Sequence, residues 1–150
     1  MKSLSPRFLR RARRGQSVVE LALTSPFLLL VTLIASDACR VYFTSMAVNN
    51  AAKAGAQYGA QSLAHSGDID GIQNAALADA PQIYGITANA SVYCECPDEP
   101  GSFACNSNIS CADMRAYVEV DTATTFHTLI NYPGIPNSVP ISGQAIMRVE

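Results

Sequence analysis

The chain has 150 residues, the material of one ordinary domain, and its formal charge of −2 conceals a sharp division along its length. Six of the ten basic residues (Lys2, Arg7, Arg10, Arg11, Arg13 and Arg14) lie in residues 1–15 without an acid, while Arg40, Lys53, Arg115 and Arg148 face all twelve acids in the remainder. An acidic body offers no basic surface to nucleic acid, and no nucleophile–base pair, phosphate-binding glycine loop or metal-ligand cluster is spaced for chemistry, so the expectation is no enzyme, no cofactor, no metal and no small-molecule substrate.

The first predicted element is an apolar span. From Leu21 to Ser36 no residue is charged, and reaching back to Val18 adds only Glu20. The apolar length is about 19 residues, close to the ~20 that cross a bilayer as a helix and beyond the roughly 7–15 of a cleavable secretory signal. Bases cluster before the span, and only Arg40 and Lys53 follow closely, so the N-terminus is expected in the cytoplasm and the rest outside it.

No proline or loop cluster interrupts Asp37 to Ala64, and alanine, the best helix former, dominates Ala47 to Ala64. Residues 17–64 therefore read as one helix, roughly 70 Å long at ~1.5 Å per residue and kinked at Pro26. Small residues recur four apart at Ala47, Ala51, Gly55 and Gly59, with Ala52, Ala56, Ala60 and Ala64 beside them. Such a row admits a close backbone neighbour. Ala51, Gly55 and Gly59 are expected to pack against a neighbouring subunit's helix, the chain's own sheet, or both.

Ser66-Gly67-Asp68 breaks the helix, and Asp68 or Ser66 can cap a short second one over Ile69–Asp79, stopped by Pro81. Asp68-x-Asp70-Gly71 resembles the start of a calcium loop but lacks its later ligands, which favours the capping role. The period then changes to two. Ala88, Ala90, Val92, Cys94 and Cys96 share one face of a strand over Thr87–Cys96. Ala116, Val118 and Val120 do so over Arg115–Thr122, and Val139, Ile141, Ala145, Met147 and Val149 over Val139–Val149. About three amphipathic strands imply a small antiparallel sheet covered by the long helix, an α+β fold. The expected segments are a leader (1–15), a transmembrane helix (16–37), its outer continuation (38–64) and an extracytoplasmic α+β domain (65–150).

Cys94, Cys96, Cys105 and Cys111 lie in the exported part without the paired spacing of a zinc site, so they are expected to form disulfides. Three pairings exist, and the nested one, Cys94–Cys111 with Cys96–Cys105, is preferred because it closes a loop between antiparallel strands. Cys39, at the end of the span, pairs between subunits or stays reduced. His65 and His127 sit in no catalytic pattern and are expected at the surface.

The segment Arg13-Arg14-Gly15-Gln16-Ser17-Val18-Val19-Glu20 carries the functional signal. A carboxylate at the centre of a membrane helix costs ~2.5–3.5 kcal/mol, less near an end, and calls for compensation. Alone, Glu20 would be a carboxylate at headgroup level. If the chain is cut after Gly15, Gln16 gains a cationic amine one helical turn from Glu20, and the charges can neutralise each other within or between subunits.

This segment resembles a type IV prepilin processing site, with glycine before the cut and glutamate fifth in the mature chain. Arg14-Gly15-Gln16-Ser17-Val18-Val19-Glu20-Leu21-Ala22-Leu23 with Pro26, the run Ala51-Ala52-Lys53-Ala54-Gly55-Ala56-Gln57-Tyr58 and the Cys-x-Cys strand together resemble the TadE-like family of the tight-adherence (Flp/Tad) pilus system, over nearly the whole chain. The resemblance implies a pseudopilin or minor pilin of the bacterial inner membrane. A prepilin peptidase would cut it at Gly15–Gln16, Glu20 would supply the assembly contact, and its partners would be the membrane and other subunits of an adhesive pilus. The chain departs from the family in having Asp37-Ala38-Cys39-Arg40 where Asp-x-Gly-Arg is usual. The alternatives are an uncleaved single-span protein whose outer domain binds a partner or ligand, and a domain released by ordinary signal peptidase.

Overall fold

A computed structural model describes the backbone of residues 7–97, 99–105, 111, 113–131, 134 and 136–150. The first residues of the expected leader, 1–6, lie outside this set. The chain divides into two compact units, Met1–Cys39 and Arg40–Glu150.

Helix α1 runs over Arg7–Ala60 with Pro26 inside it. It ends short of the expected Ala64. Ser62 takes an extended conformation and its hydroxyl accepts the His65 N–H, capping a separate turn, α2, Leu63–Ser66. Serine competes well for backbone donors at such a position and ends the alanine run that composition alone would extend. The last carbonyl of α1 is satisfied from afar, because the Glu150 N–H donates to Ala60 O at 3.1 Å. Helix α3, Ile69–Asp79, starts where expected, with Asp68 Oδ1 accepting the Gly71 N–H at 3.0 Å. Asp68 is thus a cap.

Four strands form the sheet: β1 (Thr87–Cys96), β2 (Glu99–Phe103), β3 (Arg115–His127) and β4 (Ser138–Arg148), in the order β2-β1-β3-β4, all antiparallel. Strand β2 is the addition. Its sequence, Glu-Pro-Gly-Ser-Phe, is depleted in strand formers, and proline is tolerated there because β2 is an edge. β3 continues to His127 because Thr122, Thr124 and Phe126 prolong the alternation of Val118 and Val120. Threonine hides that pattern by polarity but packs as a β-branched residue.

The inward face of the sheet meets α1 and α3. One buried cluster joins Ala56, Ile72, Ala76, Val118, Val120 and Val149; a second joins Val48, Phe126 and Ile141. The small-residue row faces this core: Ala47, Ala51, Ala52 and Ala56 are buried. A Cβ on Gly55 would lie 3.0 Å from Ala76 Cβ and Ile72 O, and one on Gly59 would lie 2.8 Å from Ile72 Cδ1 and 2.9 Å from Val118 Cγ1. The chain's own sheet and α3 therefore occupy the groove. A less yielding contact lies at Gly143 of β4, where a Cβ would meet Asn49 Cα at 2.9 Å and Asn49 N at 3.0 Å, backbone against backbone. Beside it Thr122, buried, donates its hydroxyl proton to Val48 O (2.8 Å), with Gly143 O the alternative acceptor at 3.3 Å.

The disulfides differ from the nested expectation. Cys94 pairs with Cys105 and Cys96 with Cys111, an interleaved pattern. The cause is β2. Its hairpin sets Phe103 opposite Cys94, so Cys105, two residues further on, overshoots Cys96 and reaches Cys94 instead, at a Cα separation of 5.0 Å. The returning chain then brings Cys111 to Cys96.

Candidate functional site

In the first unit the functional candidates lie on α1. The backbone is helical through Gly15, Gln16 and Glu20, and Gln16 and Glu20 are exposed. Their four-residue spacing puts them on one side of the helix, one turn apart. The large apolar side chains that follow are also exposed, from Val18 at 65% through Leu23 at 75% and Phe27 at 67% to Ile34 at 46%. An exposed stripe would be narrow; here every side of the helix is apolar, which suits a lipid surrounding.

Three hydroxyls of this stretch are satisfied by the helix itself. Thr24 donates to Glu20 O at 3.0 Å, with Leu21 O at 3.3 Å as alternative, and Thr32 donates to Leu28 O. Pro26 lacks the N–H that Ala22 O would otherwise accept, and the Ser25 hydroxyl donates to that carbonyl at 3.4 Å. Hydroxyls that close on their own backbone carry no unmet demand for water, the condition for entering hydrocarbon. The span is long and apolar enough to cross a membrane.

Several other titratable groups make contacts within the head. Tyr58 donates its hydroxyl to Asp68 Oδ2 at 3.0 Å and meets the His65 ring edge-on at 4.8 Å; His65 Nδ1 lies 2.8 Å from Ser62 Oγ. Its hydrogen bond to the Asp68 carboxylate, then desolvation, raises the Tyr58 hydroxyl above its usual value. On the outward face of the sheet Tyr93 and Tyr117 stack with ring centroids 5.5 Å apart, and Gln144 Nε2 donates to Glu119 Oε1 at 2.6 Å. Desolvation, and then the charges of Glu95 and Glu119, raise the Tyr93 hydroxyl. Arg115 is held protonated by its hydrogen bond to Asp113. Among the described residues no group of three or more His, Cys, Asp or Glu is placed to hold a metal ion.

Gly15, Gln16 and Glu20 thus lie on the helix in the first unit, whereas Ala51, Gly55, Gly59 and the four bonded cysteines lie in the second, and Cys39 is free and exposed. Sequence reasoning missed Thr122 and Gly143, which seat α1 on the sheet. The signal was a glycine between Ile141 and Ala145, on the inward face of an alternating strand.

Among the described residues one long apolar helix precedes a disulfide-bonded α+β head, and that helix is long and apolar enough to cross a membrane. Residues 15–57 match the model of a protein family described as TadE-like protein, so the resemblance is shown over that segment, which starts on Gly15 and contains Glu20 and Pro26. Residues beyond 57, the Cys-x-Cys strand among them, lie outside the match, which is narrower than the whole-chain likeness expected from sequence. No curated protein and no solved structure matches the chain.

Proposed function

We propose that this chain is a pseudopilin or minor pilin of a tight-adherence type pilus, cut after Gly15 by a prepilin peptidase and anchored in the bacterial inner membrane. The single observation that carries this reading is the family match, which opens on Gly15; in the sequence Glu20 is the fifth residue after it. The arginine-rich leader stays in the cytoplasm and the head stands outside. Glycine at the cut favours local opening of the helix, since glycine is ~1 kcal/mol less favourable there than alanine. Cleavage turns the Gln16 nitrogen into a cation one turn from Glu20, so the carboxylate enters the apolar region paired with that amine or with a neighbouring subunit's. Other pilus subunits are the partners, and the protein assists their assembly.

The mature N-terminus tests the reading. Mass spectrometry of the protein purified from membranes should find a chain that starts at Gln16, and Gly15→Arg should leave the precursor intact. Glu20→Ala should be cut normally and fail to support piliation. A chain that keeps Met1 would favour an uncleaved anchor, and a start near residue 38 would favour release by signal peptidase.

A further inference from the structure

At one end of the second unit three segments converge on Phe126. The Arg40 guanidinium lies 5.0 Å above the Phe126 ring. Val41 of α1 and Ile83 and Ile86 of the α3–β1 loop pack against Val48, Phe126 and Ile141. Thr124 holds that loop by donating to Tyr84 O at 3.1 Å, and the Thr128 N–H closes the β3–β4 loop on Asn137 O at 3.1 Å. Large apolar side chains of these segments lie in solvent. Tyr84 is 99% exposed and Leu129 56%, with Ile130, Tyr42 and Phe43 also exposed.

The charge is as uneven as the polarity. Segments 40–53, 81–86 and 127–137 contain Arg40 and Lys53 but no Asp or Glu, although the chain as a whole is acidic. Chain connectivity fixes what lies nearby. Arg40 follows the last uncharged residue of the span, Ser36, by four residues. Even a fully extended backbone reaches only about 14 Å over that distance, and a helical one about 6 Å. The headgroup zone is itself about 5–8 Å deep on each side of the hydrocarbon. Tyrosine is enriched at that level, and an apolar cluster exposed beside a cation fits it.

We propose that this end of the head is a membrane-docking surface, with Tyr84, Leu129 and Ile130 seated in the headgroup zone of the same bilayer that α1 crosses. The proposal rests on the membrane-anchored reading of α1. Docking at the loops holds the head against the bilayer before assembly, and extraction of the subunit has to release this contact as well as the span.

The chain contains no tryptophan, so single substitutions report without background. The full chain is reconstituted into phosphatidylcholine–phosphatidylglycerol vesicles carrying lipids brominated high on the acyl chain, with Tyr84→Trp, Leu129→Trp, Tyr93→Trp on the outward sheet face, and Leu30→Trp in the span. Trp at 84 and at 129 should emit to the blue and be quenched, Trp at 93 should not, and Trp at 30 should be quenched strongly. Unquenched emission at 84 and 129 beside a quenched Leu30→Trp overturns the docking and leaves the anchor standing. Blue-shifted but unquenched emission at 84 and 129 means that protein covers these loops, and overturns it too. Equal quenching at 84, 129 and 93 reveals unselective adsorption and rejects the surface. An unquenched Leu30→Trp removes the anchor and the docking together.

Discussion

Gly143→Ala is the most informative substitution in the head, because the atoms it would strike cannot move aside. The added methyl carbon would lie 2.9 Å from Asn49 Cα and 3.0 Å from Asn49 N, so either α1 or β4 must shift as a unit. Overpacking a core typically costs 1–3 kcal/mol, and a backbone clash belongs near the top of that range. Restriction of the unfolded chain returns about 0.4–1 kcal/mol, which leaves a net loss of about 2 kcal/mol. That is roughly a 30-fold change in the folding equilibrium. For a domain of this size it lowers the melting midpoint by roughly 5–10 °C. Gly59→Ala is the internal control. Its new methyl meets Ile72 Cδ1 at 2.8 Å, the far end of a side chain that can turn, and the helix gains about 1 kcal/mol in propensity. Val118 Cγ1 at 2.9 Å gives less easily, so the net change should stay within about 1 kcal/mol. Thermal melts of the oxidised full chain in detergent micelles, followed by circular dichroism, compare the two. A Gly143→Ala melt that superimposes on wild type, or a Gly59→Ala melt that falls further, refutes the packing argument.

Thr122→Val removes the hydroxyl that reaches Val48 O and should cost about 1 kcal/mol, seen as a lower denaturant midpoint at unchanged slope; equal midpoints would deny the hydrogen bond any net role. Asp68→Asn keeps a capping side chain on α3 but removes the charge beside Tyr58, so the Tyr58 titration, isolated by difference against Tyr58→Phe, should fall back toward the ordinary tyrosine range. Because the folded hydroxyl titrates above the unfolded one, the stabilisation from neutral Tyr58 is complete below about pH 10 and is lost as pH rises through the higher folded value. A difference titration identical in Asp68→Asn and wild type would reject the Asp68 assignment. Removing Cys94 with Cys105 as a pair of alanines should leave the Cys96–Cys111 bond intact and cost about 2–4 kcal/mol, whereas removing Cys94 with Cys111 strands two thiols. Thiol counts that reverse this order would restore the nested pairing.

The parts of the fold that were legible in the sequence are those with strong period. Thr87–Cys96 reads as a strand because five apolar residues alternate without exception, and the described strand has the same limits. Asp68 announces α3 because an acid before an apolar helix has one cheap role. The errors share a cause, which is tertiary context. Glu99–Phe103 has the composition of a loop and becomes a strand only because β1 offers it an edge. That unseen strand also carried Cys105 past Cys96 and reversed the preferred disulfides. Ala64 belongs to no long helix because Ser62 turns the chain toward α3. For the candidate site, Gly15, Gln16 and Glu20 stand out in the sequence because a carboxylate entering an apolar run calls for a partner. The loop aromatics and leucines were not legible, because isolated apolar residues acquire meaning only when folding gathers them at one end.

The glycines of α1 have a further consequence for packing between copies. Because Ile72, Ala76, Val118 and Val120 fill the concavity at Gly55 and Gly59, what α1 presents outward at that level is Lys53 and Gln57. A visiting rod can come no nearer there than the customary 8–10 Å between axes, roughly the spacing of ordinary side-chain interdigitation. Close backbone approach of a second copy through the row at Gly55 and Gly59 is thereby blocked by the chain's own Ile72, Ala76, Val118 and Val120.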